Sequence, residues 1–238
     1  MKTRIISFFL ISMVFLGCSD CITGKGQRII ADREVGAYTG IQISMPAEVI
    51  LYTDTSVDVP SVQITAQENI LNTIDTKVEN GVLSIGSDDC LNGYEDVIIT
   101  LYNPTFDLVH IDGSGNVVSG NTLVSEDFRI IVDGSGDMQL SLQVNNELST
   151  LINGSGNMNL SGEVKEHTIE INGSGDVDSY NLATSKTAID IDGSGNAWIR
   201  VLDQLNVLIN GSGDVFYKGN PSQTDVTING SGMVIKQD

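Results

Sequence analysis

Two positions before the first glycine of each Gly-Ser-Gly triplet stands an aliphatic residue: Ile111, Val132, Ile152, Ile171, Ile191, Ile209 and Ile228. Two positions earlier stand Val109, Ile130, Thr150, Ile169, Ile189, Val207 and Val226. The position between them varies, from His110 through Ile131, Leu151, Glu170, Asp190 and Leu208 to Thr227. Four positions after the glycine the chain is apolar again, with Val117, Met138, Met158, Val177, Ala197, Val215 and Val234. A period of two on both sides of a glycine turn predicts strand, corner, strand. β-Branched residues suit the inward columns of such a half-buried pleat. No helical period runs through the repeats.

The first glycines are Gly113, Gly134, Gly154, Gly173, Gly193, Gly211 and Gly230, at intervals of 21, 20, 19, 20, 18 and 19 residues. The second glycines are Gly115, Gly136, Gly156, Gly175, Gly195, Gly213 and Gly232. Self-similarity at this period signals a solenoid. A hairpin meander would reverse at each turn and needs no repeat near twenty; a parallel β-helix does. Twenty residues at about 3.3 Å each give a perimeter of about 66 Å, enough for three short sides. The fold predicted is all-β, a parallel β-helix over residues 106–238 with coils of about twenty residues. Residues 33–105 lack the triplet but stay β-rich, and read as a β layer continuous with the solenoid that covers its first coil. Asn80-Gly81 between TKVE and VLSIG predicts a two-residue hairpin, and ENILNTI is a short helix candidate. At the other end, Met233 and the charged Lys236-Gln237-Asp238 read as a terminal cap that blunts an open edge.

The start of the chain is a processing signal. Lys2 and Arg4 precede an apolar run from Ile5 to Leu16 that is short for a bilayer span. Phe15-Leu16-Gly17-Cys18 resembles the lipobox of bacterial lipoproteins, in which the cut falls before the cysteine and the cysteine carries the lipid. Residues 1–17 then form the signal peptide and residues 18–32 a tether from lipidated Cys18. The formal net charge is −19; removing residues 1–17 takes away Lys2 and Arg4 and no acid, leaving −21. Such a chain disfavours nucleic acid and anionic membrane surfaces as partners. Cys21 and Cys90 remain; outside the cytoplasm they either pair or stay as free thiols.

One ordered set of features resembles a known family. Gly40-Ile41 lies in an early strand; GlnGluAsnIleLeu at 67–71 is followed by IleAspThrLysValGluAsnGly at 74–81, Leu83, Tyr102-Asn103-Pro104 and the run of Ile-(Asp/Asn)-Gly-Ser-Gly-(Asn/Asp) motifs. Together these resemble the putative auto-transporter adhesin head GIN domain family of secreted bacterial proteins, from about Arg33 onward. The resemblance implies a β-helical fold and a secreted or lipoprotein location. It supports a right-handed solenoid, as does the strong bias of parallel connections. It brings no catalytic residues with it.

Three sets of residues are candidates for chemistry. The Gly-Ser-Gly corners suit backbone geometry alone, since glycine allows positive φ and Asn and Asp stabilise turns. The alternative is a weak Ca²⁺ column on Asp112, Asp133, Asp137, Asp176, Asp192 and Asp214. Carboxylates are interleaved with amides there, which relieves repulsion along a ladder without any metal. Neither a metal nor another cofactor is expected. Catalysis has little to stand on. His110 falls in an outward column, His167 in the loop-like VKEHT, and no compact Asp cluster is evident around Arg129 or Arg200, the bases a polysaccharide lyase would need. The third set is a column five positions after the first glycine: Val118, Gln139, Asn159, Asp178, Trp198, Phe216 and Ile235. Parity points it outward, giving a Trp198–Phe216–Ile235 stripe with Tyr217 and Arg200 nearby. Exposed aromatics in a row suit a sugar face or a protein partner. The function expected is a non-catalytic cell-envelope lipoprotein that binds a surface glycan or protein. A lyase-like enzyme on the same scaffold and a purely architectural protein are the other readings.

Overall fold

The computed structural model describes residues 21–56 and 59–238. The signal peptide and Cys18 lie outside the described residues. The N-terminal half contains β1 (Ile22–Thr23), β2 (Arg28–Arg33), β3 (Gly40–Ser44), β4 (Glu48–Thr53), β5 (Ser61–Gln67), α1 (Glu68–Leu71), β6 (Asp75–Glu79), β7 (Val82–Gly86), β8 (Leu91–Asn92) and β9 (Ile98–Asn103). The repeats form β10 (Leu108–Gly113), β11 (Asn116–Ser119), β12 (Leu123–Gly134), β13 (Met138–Gly154), β14 (Met158–Gly173), β15 (Val177–Gly193), β16 (Ala197–Gly211), β17 (Val215–Lys218), β18 (Gln223–Ile228) and β19 (Val234–Lys236).

The chain is a parallel β-solenoid of coils near twenty residues. β13 to β16 each run from one Gly-Ser-Gly corner to the next, and pair in parallel with Gly154 over Gly134, Gly173 over Gly154, Gly193 over Gly173 and Gly211 over Gly193. The register places like residues on like. Ile43, Ile111, Val132, Ile152, Ile171, Ile191, Ile209 and Ile228 form one inward column. Val49, Val117, Met138, Met158, Val177, Ala197, Val215 and Val234 form another. Removing an aliphatic side chain of this kind from water contributes about 2–3 kcal/mol, and each rung supplies several.

The N-terminal half extends the stack in an order the sequence does not show. β3 and β4 pair with β10 and β11 on one side, and with β7 and β9 on the other, all in parallel. Residues 40–53 are therefore one rung, and β7 with β9 is the rung beneath it, although it comes later in the chain. Beyond that rung the strands turn antiparallel: β6 on β7, β5 on β9 and β2 on β5. Antiparallel strands seal this end. The expected hairpin is present, with Asn80 and Gly81 at φ 51° and 80°. The expected helix shortens to the single turn of α1.

Two expectations are corrected. Residues 28–32, placed in the tether, belong to strand β2, and Ile22–Thr23 pairs in parallel with Leu91–Asn92 beside a Cys21–Cys90 disulfide. The C-terminal segment does not cap the solenoid. In the last rung the inward residues Val226 and Ile228 are each 39 % exposed, and Met233 is 53 % exposed. Among the described residues, β18 has a partner strand on one side, β16, and all six of its residues are exposed.

Candidate functional site

The corners come first, because they fix everything beside them. Gly134, Gly154, Gly173, Gly193 and Gly211 have φ between 132° and 155°, a region L side chains rarely enter. A Cβ on any of them would press into the carbonyl oxygen of the glycine one rung below. The second glycines, Gly136 to Gly232, meet the same obstacle. The serine amide donates to the carbonyl of the first glycine beneath, as from Ser155 to Gly134 and Ser194 to Gly173, both at 2.8 Å.

The asparagine and aspartate columns complete the corner. After the glycines, each backbone amide donates to the side-chain oxygen of the rung below. Asn157 N donates to Asp137 Oδ1 at 2.9 Å, Asn196 N to Asp176 Oδ1 at 2.7 Å and Met233 N to Asp214 Oδ1 at 2.8 Å. Asn157 and Asn196 add a second bond from Nδ2 to the same oxygen. An asparagine over an aspartate thus donates twice where a second aspartate would repel, which explains the interleaving. Before the glycines, Asn153 donates to Asp133 at 2.7 Å, and His110 Nε2 bonds the other oxygen of Asp133 at 2.8 Å. Those bonds, Asn153 foremost, hold the Asp133 carboxyl below its usual range. Asp112 and Asp192 sit in this same column. Among the described residues, no three carboxylate, histidine or cysteine side chains converge as a metal-binding group.

The face that follows the corner carries outward positions three, five and seven residues after the first glycine, the last of them broken in register at Tyr180, where Ala183 is the partner of Arg200. The nearest is the ladder just described. The middle one is in register from Val118 through Gln139, Asn159, Asp178, Trp198 and Phe216 to Ile235. Between these two columns runs a groove of about 500 Å³, lined by Asn116, Asp137, Asn157 and Asp176 on one side and Val118, Gln139, Asn159 and Asp178 on the other. At its C-terminal end Trp198 and Phe216 stack, ring centroids 5.5 Å apart and planes within 8°. Both are half-buried. A second stacked pair, Tyr52 and Tyr102, stands on the same face near the sealed end, at 5.0 Å and 11°.

The stripe expected from sequence is therefore present, with one correction. Tyr217 is the Cα partner of Ile199 and packs against the core, so it belongs to the inward side. Parity decides this: Tyr217 lies one residue from Phe216. Arg200 is exposed, and its partner on the next rung is Lys218. Lys218 and Tyr180 were not expected here. Lys218 Nζ lies 4.6 Å from the centre of the Tyr180 ring. The sequence does carry their signal, since Tyr180, Arg200 and Lys218 each stand seven positions after a first glycine.

His167 and Arg129 also need correction, whereas His110 lies in the outward column expected of it. His167 is not in a loop. It lies within β14, stacked between Leu148 and Thr187 and only 1 % exposed. Thr150 Oγ1 is 3.0 Å from its Nε2, and its Nδ1 has no partner. Burial pushes its pKa down to about 3, so it is a neutral core residue. Arg129 shares a small depression with Asp107, Asp127 and Glu147, an acidic setting the sequence pattern did not reveal. Two of those acids are engaged along the stack: Asp127 Oδ1 accepts from Asn146 Nδ2, and Glu147 Oε1 accepts from Thr168 Oγ1.

Comparison with known proteins places this geometry. The family described as putative auto-transporter adhesin, head GIN domain, matches residues 37–221. The chain belongs to this family. Solved structures similar to this GIN-domain chain include a putative adhesin from Bacteroides fragilis, with a TM-score of 0.84 and 22 % identity over 91 % of this chain and 100 % of that one. A putative lipid binding protein from Parabacteroides distasonis has a TM-score of 0.73 and 21 % identity over 91 % and 99 %. A putative adhesin from Parabacteroides merdae has a TM-score of 0.72 and 22 % identity over 92 % and 100 %. At these identities the likeness is one of fold. No curated protein sequence matches this GIN-domain chain.

Proposed function

We propose that this GIN-domain protein is a non-catalytic adhesin of the bacterial cell envelope, and that it binds a surface glycan through the Trp198–Phe216 platform. The observation that carries the reading is the stacked pair itself. Two aromatic rings stacked on each other along a rigid outward column hold one another in place, and offer an apolar edge to a sugar's C–H face at little cost in ordering. Arg200 and Ile235 border the pair. The groove beside it offers amides and carboxylates for hydroxyl groups. The corners are occupied with holding the fold together, which leaves the outward columns free to vary.

The same proposal places the protein outside the cytoplasm. Residues 1–17 serve as signal peptide, and Cys18 carries the lipid that tethers the solenoid to the membrane. The Cys21–Cys90 disulfide suits an oxidising compartment and lies three residues from that anchor. Among the described residues no helix is long and apolar enough to cross a membrane. Cys18→Ser is expected to abolish incorporation of labelled fatty acid; retained label rejects the anchor.

The binding site is tested with Trp198→Ala on arrays of immobilised glycans and matrix proteins. The expected result is an unchanged melting midpoint with at least about a tenfold loss of glycan binding, roughly 1.4 kcal/mol. Equal binding by wild type and variant removes the platform from the proposal.

A further inference from the structure

We propose that the Trp198–Phe216 platform takes an acidic sugar, with the ring on the aromatics and the carboxylate on Arg200 and Lys218. This rests on the glycan-binding reading above and adds the chemical class of the ligand.

Arg200 and Lys218 stand two residues beyond Trp198 and Phe216, and so on the same outward side of their strands. They are Cα partners on adjacent rungs, a rung spacing of about 4.8 Å. Like charges directly opposite in a sheet destabilise it. The chain has 31 acidic and 12 basic residues, so carboxylate partners abound. Yet the ion pairs among the described residues are Lys77 with Glu79, His110 with Asp133 and Lys186 with Glu166. Neither Arg200 nor Lys218 is in one. Lys218 instead sits over the Tyr180 ring, a contact that keeps an ammonium in place without neutralising it. Two adjacent cations left without a carboxylate, beside a stacked aromatic pair, form a site built for an external anion.

The opposite flank sets the direction. Across the platform lie Asn196 and Asp214, members of the amide–carboxylate ladder, and Asp178 lies one rung below Trp198. All three accept hydrogen bonds from hydroxyls, and the two carboxylates repel an anion. A sugar stacked on Trp198 and Phe216 therefore turns its hydroxyl edge to Asn196 and Asp214, and its carboxylate to Arg200 and Lys218. The net charge of −19 repels a polyanion at long range, but a single charge near the surface is screened over about 8 Å at physiological salt. The ligand that fits is an otherwise neutral glycan carrying an isolated uronic or sialic acid.

The experiment uses the full chain and two matched probe pairs: sialyllactose against lactose, and a glucuronate-containing tetrasaccharide against its carboxyl-reduced form. Binding is measured for wild type, Trp198→Ala and the double variant Arg200→Gln/Lys218→Gln, each checked for an unchanged melting midpoint. Wild type is expected to favour the acidic member of at least one pair by about tenfold, as a charge-assisted hydrogen bond provides. Added salt should shrink that preference. The double variant should bind both members alike, and Trp198→Ala should weaken both. Equal binding of both pairs by wild type, or a preference that survives the double variant, overturns the acidic class while the platform stands. Failure of wild type to bind any of the four probes overturns this inference, and glycans that bind on the array but not here leave the platform reading intact.

Discussion

At the residue scale, what a corner glycine must do depends on the rung beneath it. Gly113 has φ 126° and open space around its α-carbon, whereas Gly175 would set a Cβ against the Gly156 carbonyl and the Ile152 side chain. Gly113→Ala should therefore cost only backbone strain, about 1–3 kcal/mol. Gly175→Ala should cost more, because the backbone of two rungs must part. Comparison of denaturation midpoints checks the order. His167 carries the clearest pH dependence. Its folded pKa, about 3, lies below the ordinary histidine value of 6.5, so the unfolded chain binds the extra proton. Stability from this residue is complete above about pH 6.5 and falls as pH drops toward 3, by about 1.4 kcal/mol per unit. His167→Leu should flatten that part of the acid-unfolding curve; an unchanged slope removes His167 as its source.

At the scale of the element, the rung is the unit, and its stability depends on its neighbours. β13 to β16 have a partner on both sides over most of their length, while all six residues of β18 are exposed. Amide hydrogen exchange should be fastest at Gln223–Ile228 and slowest in the inward columns of β14 and β15. The disulfide acts on an element of a different kind. It joins β1 to β8 across 69 positions of sequence. Closing a loop of that length contributes up to about 4 kcal/mol. Cys90→Ser should lower the denaturation midpoint and free Ile22–Thr23 to exchange, while the stack from residue 106 onward keeps its protection.

At the scale of the molecule, the order of rungs matters most. Residues 40–53 lie between a rung made later, from β7 and β9, and the first Gly-Ser-Gly rung. A chain lacking residues 21–56 loses an internal rung and should not form the stack by circular dichroism. A chain lacking residues 219–238 loses only the exposed terminal rung and should stay folded, with a modestly lower midpoint. Opposite outcomes would mean that the solenoid nucleates at its C-terminal rungs and does not need the sealed end. The molecule is thus closed at one end by antiparallel strands and left with apolar Val226 and Ile228 at the other.

The repeat was legible because a solenoid stacks each residue on its own counterpart. Ile over Ile and Gly over Gly leave a period in the sequence, and parity alone brought Trp198, Phe216 and Ile235 into one column. A loop-like composition hides the strand at His167, and a single step of parity from Phe216 turns Tyr217 inward. Lys218 and Tyr180 stand seven positions past the glycine, where the register breaks and no single column marks them. The sequence by itself determined the fold class, the corners and the outward stripe, since these depend on local alternation and on glycine's missing side chain. Only the tertiary structure decided that residues 40–53 are inserted between two later segments, β7 with β9 beneath and β10 with β11 above, that Cys21 reaches Cys90, and that two cations flank the aromatic pair. Those are matters of which rung lies on which, and long-range pairing leaves no period to read.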